Sequence, residues 1–254
     1  MKKIILSISA VILAFGLSSC VGDLDVTPID PAMNTADKAL TSADDYFSLM
    51  AQCYAGFSHS GSYGPNGNNN ISGIDGGFSQ YFRGRYHLNG LTTDEAVCGW
   101  NDQTLQDLHG LAWTTSDVFV AAFYYRIFYQ ISACNEFIRQ AKKASIDLPE
   151  KDRWIAEVRA LRAFCWLDAI DNFGNVPFAD ENNAIGELPA RITRADLFSY
   201  IEKECTELLK GSDLFDYAAS PYGRANKGFV TMILAKLYLN AEVYIGTPKY
   251  QDCV

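Results

Sequence analysis

The residue whose chemistry is easiest to read in this chain is Cys20. Two cations, Lys2 and Lys3, precede an apolar run from Ile4 to Leu17, and the small residues of Leu17-Ser18-Ser19 lead directly to the cysteine. That order is a bacterial lipoprotein signal: the cations stay on the inner side, the short apolar stretch engages the export machinery, and the thiol is free to be acylated. A spanning helix is the alternative, but about fourteen apolar residues at about 1.5 Å each reach about 20 Å, short of the ~30 Å hydrocarbon core. Residues 1–19 are therefore read as a signal peptide, Cys20 as the lipid anchor, and membrane association as a property of the lipid.

Other reactive groupings are missing. His59, His87 and His109 stand apart, with no H-E-x-x-H and no Cys/His spacing for a metal, so neither a metal site nor a cofactor is expected. No G-x-S-x-G elbow occurs, and the Gly-rich stretch 61–67 lacks the lysine of a phosphate loop. The acidic pairs Asp44-Asp45 and Asp94-Glu95 are adjacent in sequence rather than set on facing elements, as glycoside cleavage would need. The reading is a protein that is not an enzyme, with a secreted glycan-degrading enzyme kept as a rival.

Removing the leader, whose only charges are Lys2 and Lys3, takes the formal charge from -9 to -11. So acidic a chain disfavours nucleic acid and offers no basic patch to anionic lipid. A hydrophobic fraction of 48% with 33 aromatic residues is enough for a sizeable core. Six further cysteines, Cys53, Cys98, Cys134, Cys165, Cys205 and Cys253, form no C-x-x-C pair. Four lie at or near apolar helical positions, so buried thiols are favoured over disulfides.

Positioning falls to helices. Residues 20–40, with Thr27-Pro28 and Asp30-Pro31, read as a lipidated tether, and a helical domain spans 41–254. Ser42 with Asp45 caps a helix over about 43–55 carrying Tyr46, Leu49, Met50 and Cys53. From Gly56 to Gly77 the Gly, Ser and Asn content predicts a long irregular loop that is either mobile or ligand-binding. After a segment at 78–115, four helices follow. Ser116 or Asp117 starts one with Ala121, Tyr125, Phe128, Ile131 and Ile138 on its apolar stripe. A second spans 151–173, with Trp154, Val158, Leu161 and Cys165 on one face. Thr193 with Asp196 starts a third, stopped near Gly211. The fourth runs from 226 to 245, and a further helix start is expected at Tyr250. Successive long helices predict an all-α fold of stacked hairpins of the tetratricopeptide (TPR) kind, with long irregular loops for ligand. Arg162 and Asp168 interrupt an apolar helix and are read as buried scaffold charges.

Three segments carry a family likeness. They are Cys20 with Leu24-Asp25-Val26-Thr27-Pro28; Arg159-Ala160-Leu161-Arg162-Ala163-Phe164 running to Asp171-Asn172-Phe173-Gly174-Asn175-Val176-Pro177-Phe178; and Tyr222-Gly223-Arg224-Ala225-Asn226-Lys227-Gly228 running to Ala235-Lys236-Leu237-Tyr238-Leu239-Asn240-Ala241. In this order they resemble the SusD/RagB family of outer-membrane nutrient-binding lipoproteins, of which the chain looks like the N-terminal half. Asp23 and Asp25 after Cys20 resemble the signal that sends such lipoproteins to the cell surface.

The resemblance implies a surface-exposed, lipid-anchored protein of the cell outer membrane. It would bind starch-like oligosaccharide or polysaccharide and act with a SusC-type TonB-dependent transporter. It further implies a ligand site around Trp100, preceded by Thr93-Asp94-Glu95, with Asp75 and Arg83 upstream and Gln103 following. In that site Trp100 stacks on the C-H face of a pyranose, Arg83 donates to hydroxyls, Asp75 accepts from them and Gln103 supplies an amide. Starch-type members carry a second Trp where this chain has Cys98. Thr93, Asp94 and Glu95 are expected to form a turn and helix start. A protein- or peptide-binding member of the same family is the second reading.

Overall fold

The computed structural model describes residues 35–62 and 68–254. The signal peptide, Cys20 and most of the tether lie outside the described residues. Ahead of Leu40, Ala36–Ala39 make one helical turn (α1), where the sequence predicts only tether.

Beyond it, Leu40–Val254 form one compact unit, in which Ser42, Asp117, Thr193 and Asn226 each cap the start of a helix with their side chains. Helix α2, Ala43–Ala55, opens with a complete capping box: Asp45 donates its amide to Ser42 Oγ, and its carboxylate accepts from the Ser42 amide at 2.8 Å. Two short helices follow, α3 (Tyr81–Asn89) and α4 (Gln103–His109), in the segment the sequence reading left unassigned. Helix α5, Val118–Lys143, starts at Asp117, whose carboxylate accepts from the Phe119 and Val120 amides. Helix α6 is Lys151–Phe173, and α7 is Arg194–Lys210, capped by Thr193. The expected single helix over 226–245 is two, α8 (Lys227–Leu239) and α9 (Ala241–Ile245). The break falls at Asn240, whose side-chain amide bonds back to the Lys236 carbonyl and competes with the helical pattern. Tyr250 begins no helix; residues 250–253 are turns. The described strands are two residues each, β1 (Val176–Pro177) and β2 (Arg191–Ile192), paired antiparallel.

Helix α6 packs against α2, α5, α7 and α8, so it is buried on nearly every side rather than on the one expected stripe. On helix α5 the expected Ile131 and Ile138 are buried and Phe128 is half-buried, but Tyr125 is exposed and Phe123, Ile127 and Cys134 complete the inner face. α5 packs on α6 and α7 on α8, which gives the expected all-α stack of helical pairs.

The central helix carries three buried charges, and each is tied to a different part of the chain. Glu157 accepts from Arg224 Nε at 2.6 Å and from the Tyr54 hydroxyl at 2.6 Å. Arg162 donates to Asn135, Glu181 and Glu204 at 2.7, 2.6 and 3.3 Å. Asp168 accepts from Tyr81 and Arg85, both at 3.0 Å. Losing one partner would strand a charge in the core, so these pairs hold the stack in register. All six described cysteines are free thiols, with Cys53, Cys134, Cys165 and Cys205 buried.

Candidate functional site

Helix α3 has two faces that do different work. Tyr81, Gly84 and His87 are buried against α5, and Gly84 is required there because a Cβ would lie 2.9 Å from the Phe123 ring. Phe82, Arg83 and Tyr86 sit on the side that remains partly or largely exposed. Between α3 and α4 the chain is held by a small second core of Leu91, Leu105, Leu108 and Phe119, against which Ala96 and Cys98 pack. Cys98 is thus used for packing. Trp100, two residues on, is 61% exposed.

The Arg83 guanidinium lies over the Trp100 ring, 5.0 Å from its centroid. Arg83 also donates to the Gly77 carbonyl, and the Gly77 amide donates to Asp75 Oδ1 at 2.6 Å. Asp75, Arg83 and Trp100 are therefore gathered into one cluster through Gly77, without an Arg83–Asp75 ion pair among the described residues. Gln103 is not brought into it: as the first residue of α4, it donates its amide to Asp107 Oδ1 at 2.7 Å on its own helix. Thr93 and Glu95 form an exposed turn, with Thr93 Oγ1 donating to the Gly90 carbonyl, and no helix starts there. Below Arg83, burial and then the arginine charge lower the His87 pKa to about 4, so the imidazole is neutral at physiological pH.

The loop that carries Asp75 is fastened by a residue the sequence reading missed. Arg126 is fully buried on α5; its Nε donates to the Ser79 carbonyl at 2.5 Å and its Nη2 to the Ser60 carbonyl at 3.1 Å. Ser79 Oγ in turn donates to Asn69 Oδ1 at 3.0 Å, and Asn69 bonds the Ile74 carbonyl. The available signal was a lone arginine inside the apolar run from Val118 to Ile131.

What the cluster offers is an open aromatic plane backed by a fixed cation, with the Asp75 carboxylate linked to that cation through Gly77. A C-H face and neighbouring hydroxyls fit such a surface. A larger apolar groove of about 420 Å³, walled by Phe57, Phe82, Phe164 and Phe229, lacks those partners. Its polar groups, Tyr54 and Arg224, are both spent on Glu157.

No family model matches the sequence. The chain is 31% identical over 240 residues to the starch-binding protein SusD of Bacteroides thetaiotaomicron, an alignment that covers 94% of this chain and 41% of that protein. Among solved structures, a SusD-like carbohydrate-binding protein from Bacteroides fragilis is similar with a TM-score of 0.58 and 23% identity, over 80% of this chain and 38% of that one. A SusD superfamily protein from Bacteroides vulgatus gives a TM-score of 0.62 at 13% identity, over 84% and 42%. A laminarin-binding SusD-like protein gives 0.60 at 16%, over 83% and 41%. The chain spans about two fifths of the length of these relatives.

Proposed function

Because this chain belongs to the SusD/RagB family, we propose that it captures glycan chains at the cell surface, with Trp100 as the stacking platform, Arg83 as donor to sugar hydroxyls and Asp75 as acceptor. The observation that carries the reading is the cluster itself: an exposed indole with Arg83 5.0 Å over its ring and Asp75 tied in through one glycine. Among the described residues Gln103 makes no hydrogen bond to this cluster, its amide being given to Asp107. Starch-like oligosaccharide is the first ligand to try, given the relative named for starch binding, and the polymer named for the laminarin-binding structure is the second. In the same reading Cys20 carries the lipid that holds the protein at the outer membrane, and a SusC-type TonB-dependent transporter takes up what is captured. Among the described residues no helix is long and apolar enough to cross a membrane, which is compatible with attachment by lipid alone. Relatives named as binding proteins support capture rather than catalysis.

The test compares wild type with Trp100→Ala by calorimetric titration with maltoheptaose, laminarin and xylan. Removing the platform is expected to lower affinity for the bound glycan about tenfold or more. Thermal stability should barely move, because the ring is mostly in solvent. Equal affinity in the two proteins would refute the assigned site.

A further inference from the structure

We propose that the groove between the end of α2 and α5 is a second contact point for a sugar unit, built on Tyr129, Gln52, His59 and Asn70. The class of ligand rests on the function proposed above; the site itself rests on its own geometry. The groove holds about 370 Å³, within the range of small-ligand sites, about 300–1,000 Å³.

Its chemistry is that of a neutral polyhydroxyl binder. Among the described residues no Asp, Glu, Lys or Arg lines it. The side chains of Gln52, His59 and Asn70 and the Tyr129 hydroxyl make no hydrogen bond among the described residues, so two amides, an imidazole and a phenol face the groove unengaged. Gln130 on its floor is fully buried; its Nε2 donates to the Cys53 carbonyl at 2.5 Å, while its Oε1 has no partner among the described residues. Gly56 faces that amide, and a Cβ there would collide with it. Backbone, not side chain, therefore meets the floor at this point.

The aromatic part repeats the arrangement at Trp100. Tyr129 is 40% exposed, and the Arg126 guanidinium lies over its ring, 5.3 Å from the centroid, as Arg83 does over Trp100. In both places an arginine steadies an aromatic that keeps part of its surface in solvent. Both places also share one loop, which supplies Asn70 to the groove and Asp75 to the Trp100 cluster, and Arg126 fixes that loop at Ser79. Two weak contacts for one glycan chain raise its overall affinity above that of either alone.

The experiment reads each place separately in the full chain. His59 imidazole resonances, assigned by comparison with His59→Gln, are followed in Trp100→Ala protein during titration with maltotriose, laminaritriose and xylotriose. A saturable shift with at least one trisaccharide, abolished by Tyr129→Ala, is the expected result. Tyr129→Ala should also weaken maltoheptaose or laminarin binding by wild type about tenfold. Resonances indifferent to all three sugars, in a protein whose wild-type form binds glycan through Trp100, would overturn the second site and leave the first standing. Absence of glycan binding by wild type as well would overturn both.

Discussion

The residues that carry the candidate site differ in how far they reach along the chain, and that decides which of them a sequence discloses. Trp100 and Arg83 are recognisable by type and family spacing, and they meet. Gln103 matches by spacing too, but it lies on a helical turn where Asp107, four residues on, competes for its amide. Arg162 and Asp168 are legible as scaffold because charges inside an apolar helix demand partners, yet the identity of those partners is a property of the fold. Glu181, which accepts from Arg162 at 2.6 Å and from Lys142 at 2.6 Å, sits outside any helix and gives no local signal. Burial works to raise its pKa, but the hydrogen bonds from Arg162 and Lys142 carry it down to about 2. A carboxylate whose folded pKa lies below its unfolded value of about 4.3 contributes stability that is present above that value and lost as pH falls toward the folded one. Glu181→Gln is therefore expected to lower the unfolding free energy at neutral pH by about 1–2 kcal/mol, less than the whole shift because solvent screens part of the pairing. In urea titrations the gap from wild type should close between about pH 4.5 and about pH 2. A gap that does not narrow in acid would show that Glu181 is not the acceptor holding Arg162.

Helices with strong caps and long apolar runs were legible almost to the residue: α2, α6 and α7 begin and end where Ser42, Gly174, Thr193 and Gly211 place them. The two short helices near the site were not. Neither α3 nor α4 has a side-chain cap bond, and each is too short for a periodic stripe to stand out, so tertiary packing on Phe123 and the Leu91 cluster decides them. The expected face of α6, Trp154, Val158, Leu161 and Cys165, is buried, but so are its other sides, since a helix enclosed by four neighbours has no polar side to set a period. Its end is fixed instead by Gly174, at φ +72°, where a Cβ would also come 2.7 Å from the Arg194 guanidinium. Gly174→Ala puts a Cβ on that positive-φ backbone, and although the flexible Arg194 side chain can swing aside, the backbone strain is expected to destabilise the fold by about 2 kcal/mol. A melting temperature within about 1 °C of wild type would mean that α6 can end without that conformation.

At the scale of the whole chain the dominant physical fact is its charge, formally -9. A net negative surface attracts cationic ligands at long range and leaves neutral ones unaffected, and salt screens only the first of these. The Trp100 cluster and the Tyr129 groove both suit a neutral ligand: Arg83 spends one donor on the Gly77 carbonyl and keeps the others for hydroxyls, Arg126 is held by the Ser79 and Ser60 carbonyls, and among the described residues no carboxylate lines the groove. A peptide-binding member of the family, the second reading of the sequence, would instead draw basic segments toward the acidic surface. Ionic strength separates the two. If the ligand is a glycan, raising NaCl from about 0.05 M to about 0.5 M should leave its affinity within about twofold, because stacking and hydroxyl hydrogen bonds carry no net charge across the interface. A basic peptide held by the surface field should lose about tenfold over the same range. Calorimetric titration at the two salt concentrations, with maltoheptaose or laminarin in one series and an oligolysine peptide in the other, reads both outcomes. Glycan affinity that falls steeply with salt would mean that charge, not the Trp100 platform, holds the ligand, and the capture mechanism proposed for this surface would have to be abandoned.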